Sequence, residues 1–571
     1  VKIEVNGRPL EVKDGLTILE ALGENGINVP TLCYLKNMTP TGACRICVVE
    51  VEGMGNLIPA CAFPVGEGMK IQTHSPRVRA ARKTIVELLL ANHPEDCLYC
   101  ERNLNCQLQD LAHEMGVRHK RYRGERKEYR LDTSSPSIER DPSKCILCGK
   151  CVRVCEEVQG VGAIDFVNRG FKTHVEPAFN RGLNVSTCVY CGQCIMVCPT
   201  GALREKSGLK EVWAAINDKT KTVIFQMAPA ISVSIGEEFG YEPGTELSGQ
   251  LVCACKRMGV DKVFDTSVAA DLTVIEEANE LLYRLGNNGK LPMITSCSPG
   301  WVKYVEHFHP DFIENLSSCR SPQEMLGALL KTYYAEKEGL KPENIFVVSV
   351  MPCTAKKFEV KRPEFYQDNV PFVDTVITTR EMARMIKISG LDFKALPDQR
   401  YDDYFNLTSS AGKIFGSTGG VMEAALRTAY CTLTGKDLQT IEFAPVRGLD
   451  GVKEAVVEIN GQKLGVVVAS GLKNADIILK RIRENPDRYQ FIEIMACPGG
   501  CIAGGGQPRP QDDEIIKKRQ QSLYSIDKNA QLRLAHQNPV IKKLYDDYLG
   551  KPLGHKSHEL LHTQYREREK F

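Results

Sequence analysis

The chain has 571 residues, 43% of them hydrophobic, and a formal net charge of +2. That length supplies several domains with cores of their own, and the balanced charge excludes an overall field for nucleic acid or an anionic membrane. No apolar run is long enough for a membrane-spanning helix, so membrane insertion is not expected.

The 23 cysteines are the departure from ordinary composition. In a long chain with no export signal they point to metal ligation in a reducing, oxygen-poor cytoplasm rather than to disulfides. The opening "VKIEVNGRPLEV" alternates as a β-hairpin and "TILEALGEN" as a helix, so residues 1–76 are predicted as a small α+β domain. Cys33, Cys44, Cys47 and Cys61 there provide four thiolates, enough for one 2Fe–2S cluster, with structural zinc as the alternative. Residues 77–118 are predicted helical and charged, and "NHPEDCLYCERNLNC" brings His93, Cys97, Cys100 and Cys106, a set that by itself would suit zinc. "RHKRYRGERKEYRLDTSSPS" reads as a solvated connector. Residues 138–206 contain an internal repeat, "CILCGKCVRVC" (Cys145, Cys148, Cys151, Cys155) and "CVYCGQCIMVCP" (Cys188, Cys191, Cys194, Cys198). Two C-x2-C-x2-C-x3-C runs form the two-cluster ferredoxin pattern, in which each fourth cysteine ligates the other cluster. One 4Fe–4S cluster therefore takes Cys145, Cys148, Cys151 and Cys198; the other takes Cys188, Cys191, Cys194 and Cys155.

From residue 215 to 510 the composition is that of an α/β enzyme. "TVIFQMAPA", "PMITSCSPGW", "NIFVVSVMPC", "LGVVVAS" and "FIEIMACPGG" read as buried strands ending in loops, with helices between some of them. Three of those loops carry Cys297, Cys353, and Cys497 with Cys501. Ligand sites gather at the carboxyl ends of parallel strands, so these four cysteines are predicted to converge on one cubane. The surrounding glycines would let backbone pack closely there. Glu277, Glu280 and Arg284 share one helical face, which alone reads as a solvated surface. "FGSTGGVMEAALR" lacks the Gly-Lys-Ser/Thr ending of a phosphate loop, and close packing near the metal site is the expectation. Cys253, Cys255, Cys319 and Cys431 have no cluster spacing. Residues 511–571 are polar and helical.

The three loops, Thr295–Trp301, Met351–Glu359 and Glu493–Pro508, resemble the signature motifs of FeFe hydrogenases, TSCCPxW, MPCxxKxxE and ExMxCxxGCxxGGGQP. The four accessory sets resemble those of the long modular members and of NADH-dehydrogenase electron-transfer subunits, and the tail resembles the small subunit of two-chain members. The resemblance implies ferredoxin-like domains followed by a two-lobed α/β catalytic domain. It also implies an H-cluster, a 4Fe–4S cubane joined to a two-iron subsite with CO, cyanide and azadithiolate. The His93 set becomes a 4Fe–4S site, making three accessory 4Fe–4S clusters. Cys353, Cys497 and Cys501 become cubane ligands with Cys501 the bridge, and Lys356 a donor to cyanide. Met351 and Met495 become walls of the two-iron subsite, with Pro352, Gln323 and Phe415 around the cofactor. Cys297, Glu277, Glu280, Ser317 and Arg284 become the proton path.

One position departs from the pattern: Ser298 stands where the family has a ligating cysteine, so Cys297 is either relay or ligand. The implied reaction is reversible oxidation of H2. The implied partners are flavin/NAD-binding and small iron–sulfur subunits and ferredoxin, with or without electron bifurcation, since no flavin or NAD motif occurs in this chain. A hydrogen sensor, an NADH-dehydrogenase-type subunit and an iron–sulfur assembly protein are the rival readings.

Overall fold

The computed structural model describes residues 1–436, 442–459 and 461–569. At the amino end, Asn6 and Gly7 both take positive φ, the requirement of a tight hairpin turn, and join strands Lys2–Val5 and Arg8–Glu11. These enter a five-stranded sheet with Lys70–Gln72, Val48–Val51 and Ile58–Pro59. Helix Ile18–Glu24 starts at a capping box of Thr17 and Glu20 and packs Ile18 and Leu22 into the core with Ile3, Val49 and Ile71.

Residues 77–118 are less helical than the sequence suggests. Helix Pro76–Ala91 ends at Asn92, just before Pro94, and helix Gln107–Glu114 begins after Cys106. A proline cannot continue a helix, and between the two helices the chain makes only the short turn Cys97–Tyr99. The connector that follows is largely exposed. In the cysteine-rich module the repeat in sequence is a repeat in backbone: Leu147 and Tyr190, and likewise Gly149 and Gly192, hold matching positive φ values.

The part of the chain after residue 215 contains two four-stranded sheets. In one, Lys262–Asp265, Thr222–Met227, Ile345–Met351 and Thr375–Thr378 are all parallel. In the other, Met293–Ile294, Phe491–Met495 and Gln462–Ser470 are parallel, with Val452–Ile459 antiparallel at the edge. The central strands are buried on both faces, as their continuous apolar runs require. The strand expected in "PMITSCSPGW" is only two residues long.

Helix Ser267–Gly286 is a core helix, not a solvated one: Asp271, Glu276, Glu277 and Glu280 are all buried. The tail forms helices Asp513–Asn529, Pro539–Leu544 and His555–Leu561. Buried polar contacts hold it against the two-sheet core. Arg427 pairs with Asp527 at 2.9 Å, Asn538 donates to Asp271 at 2.8 Å, and the Leu553 N–H donates to Glu276 at 2.9 Å. Among the described residues no helix is long and apolar enough to cross a membrane.

Candidate active site

The carboxyl ends of the two sheets open onto one cavity of about 850 Å³. Met351, Pro352 and Cys353 reach it from one sheet; Cys297, Met495, Cys497 and Cys501 reach it from the other. Ser298, Gln323, Lys356 and Phe415 complete the parts of the wall that the sequence singled out. The glycines have two separate tasks. Gly500 has φ +90°, and a Cβ there would lie 2.7 Å from Thr418 N. Gly505 abuts the cysteine-rich module, where a Cβ would come within 2.3 Å of Cys191 O. Thr354 donates to Tyr190 O at 2.7 Å and Gln193 to Ala503 O at 3.2 Å across the same seam. Arg380 pairs with Glu205 at 2.7 Å and donates to Gly505 O at 2.9 Å. Cys191 consequently lines both this cavity and one in the cysteine-rich module.

The donor set of the cavity fits an iron–sulfur group. Burial pushes the thiols of Cys353 and Cys497 up, and that of Cys501 up to about 12. An apolar pocket does this to groups that ligate as thiolates, and bound iron removes the penalty. Lys356 is buried, which alone would lower its pKa, but Glu359 and Cys353 outweigh burial and keep it charged. Its Nζ donates to Glu359 Oε2 at 3.0 Å and Ser321 Oγ at 3.1 Å. Gln323 donates to Glu359 at 2.6 Å and leaves its buried Oε1 without a partner. The glycine-rich loop before helix Gly420–Thr434 holds no room for phosphate, because Glu493 accepts from Gly419 N at 2.6 Å and Met422 N at 2.7 Å. The signature glutamate itself supplies the anion at that helix start.

A line of titratable groups leads away from Cys297. Glu277 is fully buried with both carboxylate oxygens unpaired. Burial first, then the charge of Glu280, pushes its carboxyl up to about 8. Ser317 Oγ donates to Glu280 Oε2 at 3.0 Å, and Arg284 Nε donates to Glu280 Oε1 at 3.1 Å. Arg284 also donates to Leu316 O at 2.8 Å, near the surface. Two further groups meet this line that sequence reasoning did not place. Cys319 Sγ lies 3.9 Å from Glu280 Oε2, and His562 of the tail reaches Ser318 Oγ at 2.8 Å and Glu276 at 3.1 Å. No local signal could connect residues so far apart in the chain.

Comparison with known proteins decides the family. The chain is 48% identical to the NADP-reducing hydrogenase subunit HndD of Solidesulfovibrio fructosivorans, over 100% of this chain and 99% of that one. The chain belongs to the FeFe (iron-only) hydrogenase family. Its activity is that of the family: redox chemistry of H2 and protons, with electrons relayed through iron–sulfur clusters. The model of the iron only hydrogenase large subunit, C-terminal domain, matches residues 221–505, and that of the iron hydrogenase small subunit matches 513–568. A 2Fe-2S iron-sulfur cluster binding domain matches 1–76, the NADH-ubiquinone oxidoreductase-G iron-sulfur binding region 82–121, and a 4Fe-4S dicluster domain 144–202. Iron hydrogenase 1 of Clostridium pasteurianum is 43% identical over 99% of both chains. A variant of the [FeFe]-hydrogenase HydA1 from Chlamydomonas reinhardtii, 42% identical with a TM-score of 0.58, aligns with 63% of this chain and 99% of its own.

The hydrogenase's accessory cysteines fall into separate groups. Cys145, Cys148, Cys151 and Cys198 line one cavity of about 480 Å³; Cys155, Cys188, Cys191 and Cys194 line a second of about 480 Å³. Near the amino end Cys33 faces Cys44 and Cys61, and Cys47 faces Cys61. His93 Nδ1–H donates to Pro94 O at 3.0 Å, which leaves Nε2 buried and without a partner. That is the arrangement of an imidazole prepared to ligate. His93, Cys97 and Cys106 line one hollow; Cys100 is not among its lining residues, and its Sγ lies close to Gly201.

Proposed function

We propose that this hydrogenase is the hydrogen-converting subunit of a cytoplasmic multi-subunit enzyme, carrying out H2 ⇌ 2H+ + 2e− and exchanging the electrons with NAD(P)- and ferredoxin-linked partners. The similarity to a subunit of an NADP-reducing hydrogenase supports the partner class. Residues 1–76, 77–118 and 138–206 form the electron relay, 215–510 the catalytic domain and 511–571 a fused small-subunit-like tail; residues 437–441, 460 and 570–571 of these ranges lie outside the described residues.

The reading rests chiefly on one observation. A single cavity joins thiols from both sheets and a buried lysine, it includes Cys297, on which the buried Glu277 acts electrostatically, and it shares Cys191 with the neighbouring cysteine cavity. Cys353, Cys497 and Cys501 would hold the H-cluster cubane, with Cys501 the bridge to a two-iron subsite carrying CO, cyanide and azadithiolate. When bound, that group supplies heterolytic cleavage of H2. The chain's own residues do the rest. Lys356 presents a fixed positive charge for an anionic ligand. Met351, Met495, Pro352 and Phe415 exclude water, and Gln323 offers its free oxygen. Cys297 and Glu277 move the proton from the cavity, and Ser317, Glu280 and Arg284 carry it toward solvent. Cys188, Cys191, Cys194 and Cys155 would hold one 4Fe–4S cluster, Cys145, Cys148, Cys151 and Cys198 a second, His93, Cys97, Cys100 and Cys106 a third, and Cys33, Cys44, Cys47 and Cys61 a 2Fe–2S cluster, and together these would supply the electron relay. Infrared spectra of the matured protein, purified without oxygen, test the reading: carbonyl and cyanide bands are expected, and their absence would overturn it.

A further inference from the structure

The family pattern leaves the fourth corner of the cubane open in this chain, because serine stands where a cysteine is usual. The local backbone separates the two candidates. Ser298 is extended, with φ −99° and ψ 101°, and neighbouring side chains in an extended segment point to opposite sides. Both residues line the one cavity, so they occupy different parts of its wall. Besides burial, Glu277, Cys501, Glu493 and Lys356 all act electrostatically on Cys297, which therefore sits among both the proton line and the thiols. The thiols of Cys353, Cys497 and Cys501 respond to one another and to Lys356 and Glu493.

Ser298 lines the same cavity as Cys353, Cys497 and Cys501. It precedes helix Pro299–Phe308, where a serine ordinarily turns its oxygen onto the first helical N–H groups, yet it makes no such bond. Its Oγ instead accepts from Ala496 N at 3.3 Å, the residue before Cys497, and lines the shared cavity. Among the described residues its hydroxyl donates no hydrogen bond. One lone pair and the O–H bond are thus left unused on a residue of the cavity wall that the three thiols share.

We propose that Ser298 Oγ is the fourth cubane ligand in this hydrogenase and that Cys297 is thereby left free for proton transfer. This rests on the H-cluster reading above. The Fe–O bond forms as the hydroxyl proton passes to water, so the site carries the same charge as with a fourth thiolate, and no electron is exchanged. Oxygen is a harder donor than sulfur and favours the ferric state, which lowers the cubane's reduction potential relative to an all-cysteine site.

The test uses the full matured chain with three variants, read by iron content, infrared bands and redox-titrated electron paramagnetic resonance. Cys297→Ala should keep all its iron, its carbonyl bands and the wild-type cubane signal, while turnover falls by roughly 10²-fold or more. Ser298→Cys should keep its iron and shift the cubane signal, with a higher midpoint potential. Ser298→Ala should alter the signal or lose cubane iron. Loss of the cubane signal in Cys297→Ala, or an unchanged signal and potential in Ser298→Cys, overturns the assignment. Missing carbonyl bands in the wild-type enzyme would tell against the H-cluster reading itself; normal wild-type bands with the variant results reversed would tell against Ser298 alone.

Discussion

Glu277→Gln isolates the role of a buried, unpaired carboxyl between Cys297 and Glu280. Burial and the Glu280 charge hold Glu277 at about 8 against an ordinary 4.5. Below pH 4.5 the folded and unfolded chains both keep the proton, and the side chain makes no difference to stability. Between those values the unfolded chain releases a proton that the folded chain retains, so stability falls as pH rises, and the loss is complete above 8. At about 1.4 kcal/mol per pKa unit, the interval from 4.5 to 8 amounts to ~5 kcal/mol at most, since water entering the site would reduce it. The amide cannot ionise. The variant should match wild type near pH 4.5 and gain several kcal/mol over it by pH 9, measured as the shift in denaturant midpoint by circular dichroism under nitrogen. Hydrogen evolution from reduced viologen should fall by roughly 10²- to 10⁴-fold at every pH, the usual worth of a positioned acid–base group. Turnover above a tenth of wild type, or a stability difference that does not grow with pH, would refute the reasoning.

Three other outcomes are expected. Gly505→Ala puts a methyl group 2.3 Å from Cys191 O and forces the module off the catalytic domain. Infrared bands should survive while H2-dependent reduction of the accessory clusters slows, as seen by stopped-flow absorbance. Arg380→Ala leaves the buried Glu205 carboxylate without its partner, at a cost of about 3–5 kcal/mol, and should expose the seam to limited proteolysis. His93→Cys replaces a neutral ligand by a thiolate, so redox titration should find one 4Fe–4S potential lowered and the others unmoved.

Much of this organisation was legible locally. Ligands held by C-x2-C-x2-C-x3-C runs lie within a few residues of one another, so spacing alone grouped Cys145, Cys148 and Cys151, and the repeat supplied Cys198 from the other run. The long apolar runs "TVIFQM", "IFVVSVM" and "FIEIM" marked central strands and hence the loops at their ends. Lys262–Asp265 and Thr375–Thr378 went unread because four residues carry no reliable period. The charges of helix Ser267–Gly286 looked solvated because only the tail and the second lobe bury them.

Taken alone, the sequence determined which atoms were available: the thiol sets, one histidine, the lysine after Cys353, and the serine beside Cys297. Tertiary structure decided what each of them faces. It brought two separate sheets to one cavity, set Glu493 rather than a phosphate at a helix start, and carried His562 from the tail to Glu276. It also set Ser298 Oγ against Ala496 N on the wall that Cys297 shares. The reason is physical: spacing encodes contacts made within a turn or a strand, whereas the direction of a side chain depends on packing between segments hundreds of residues apart.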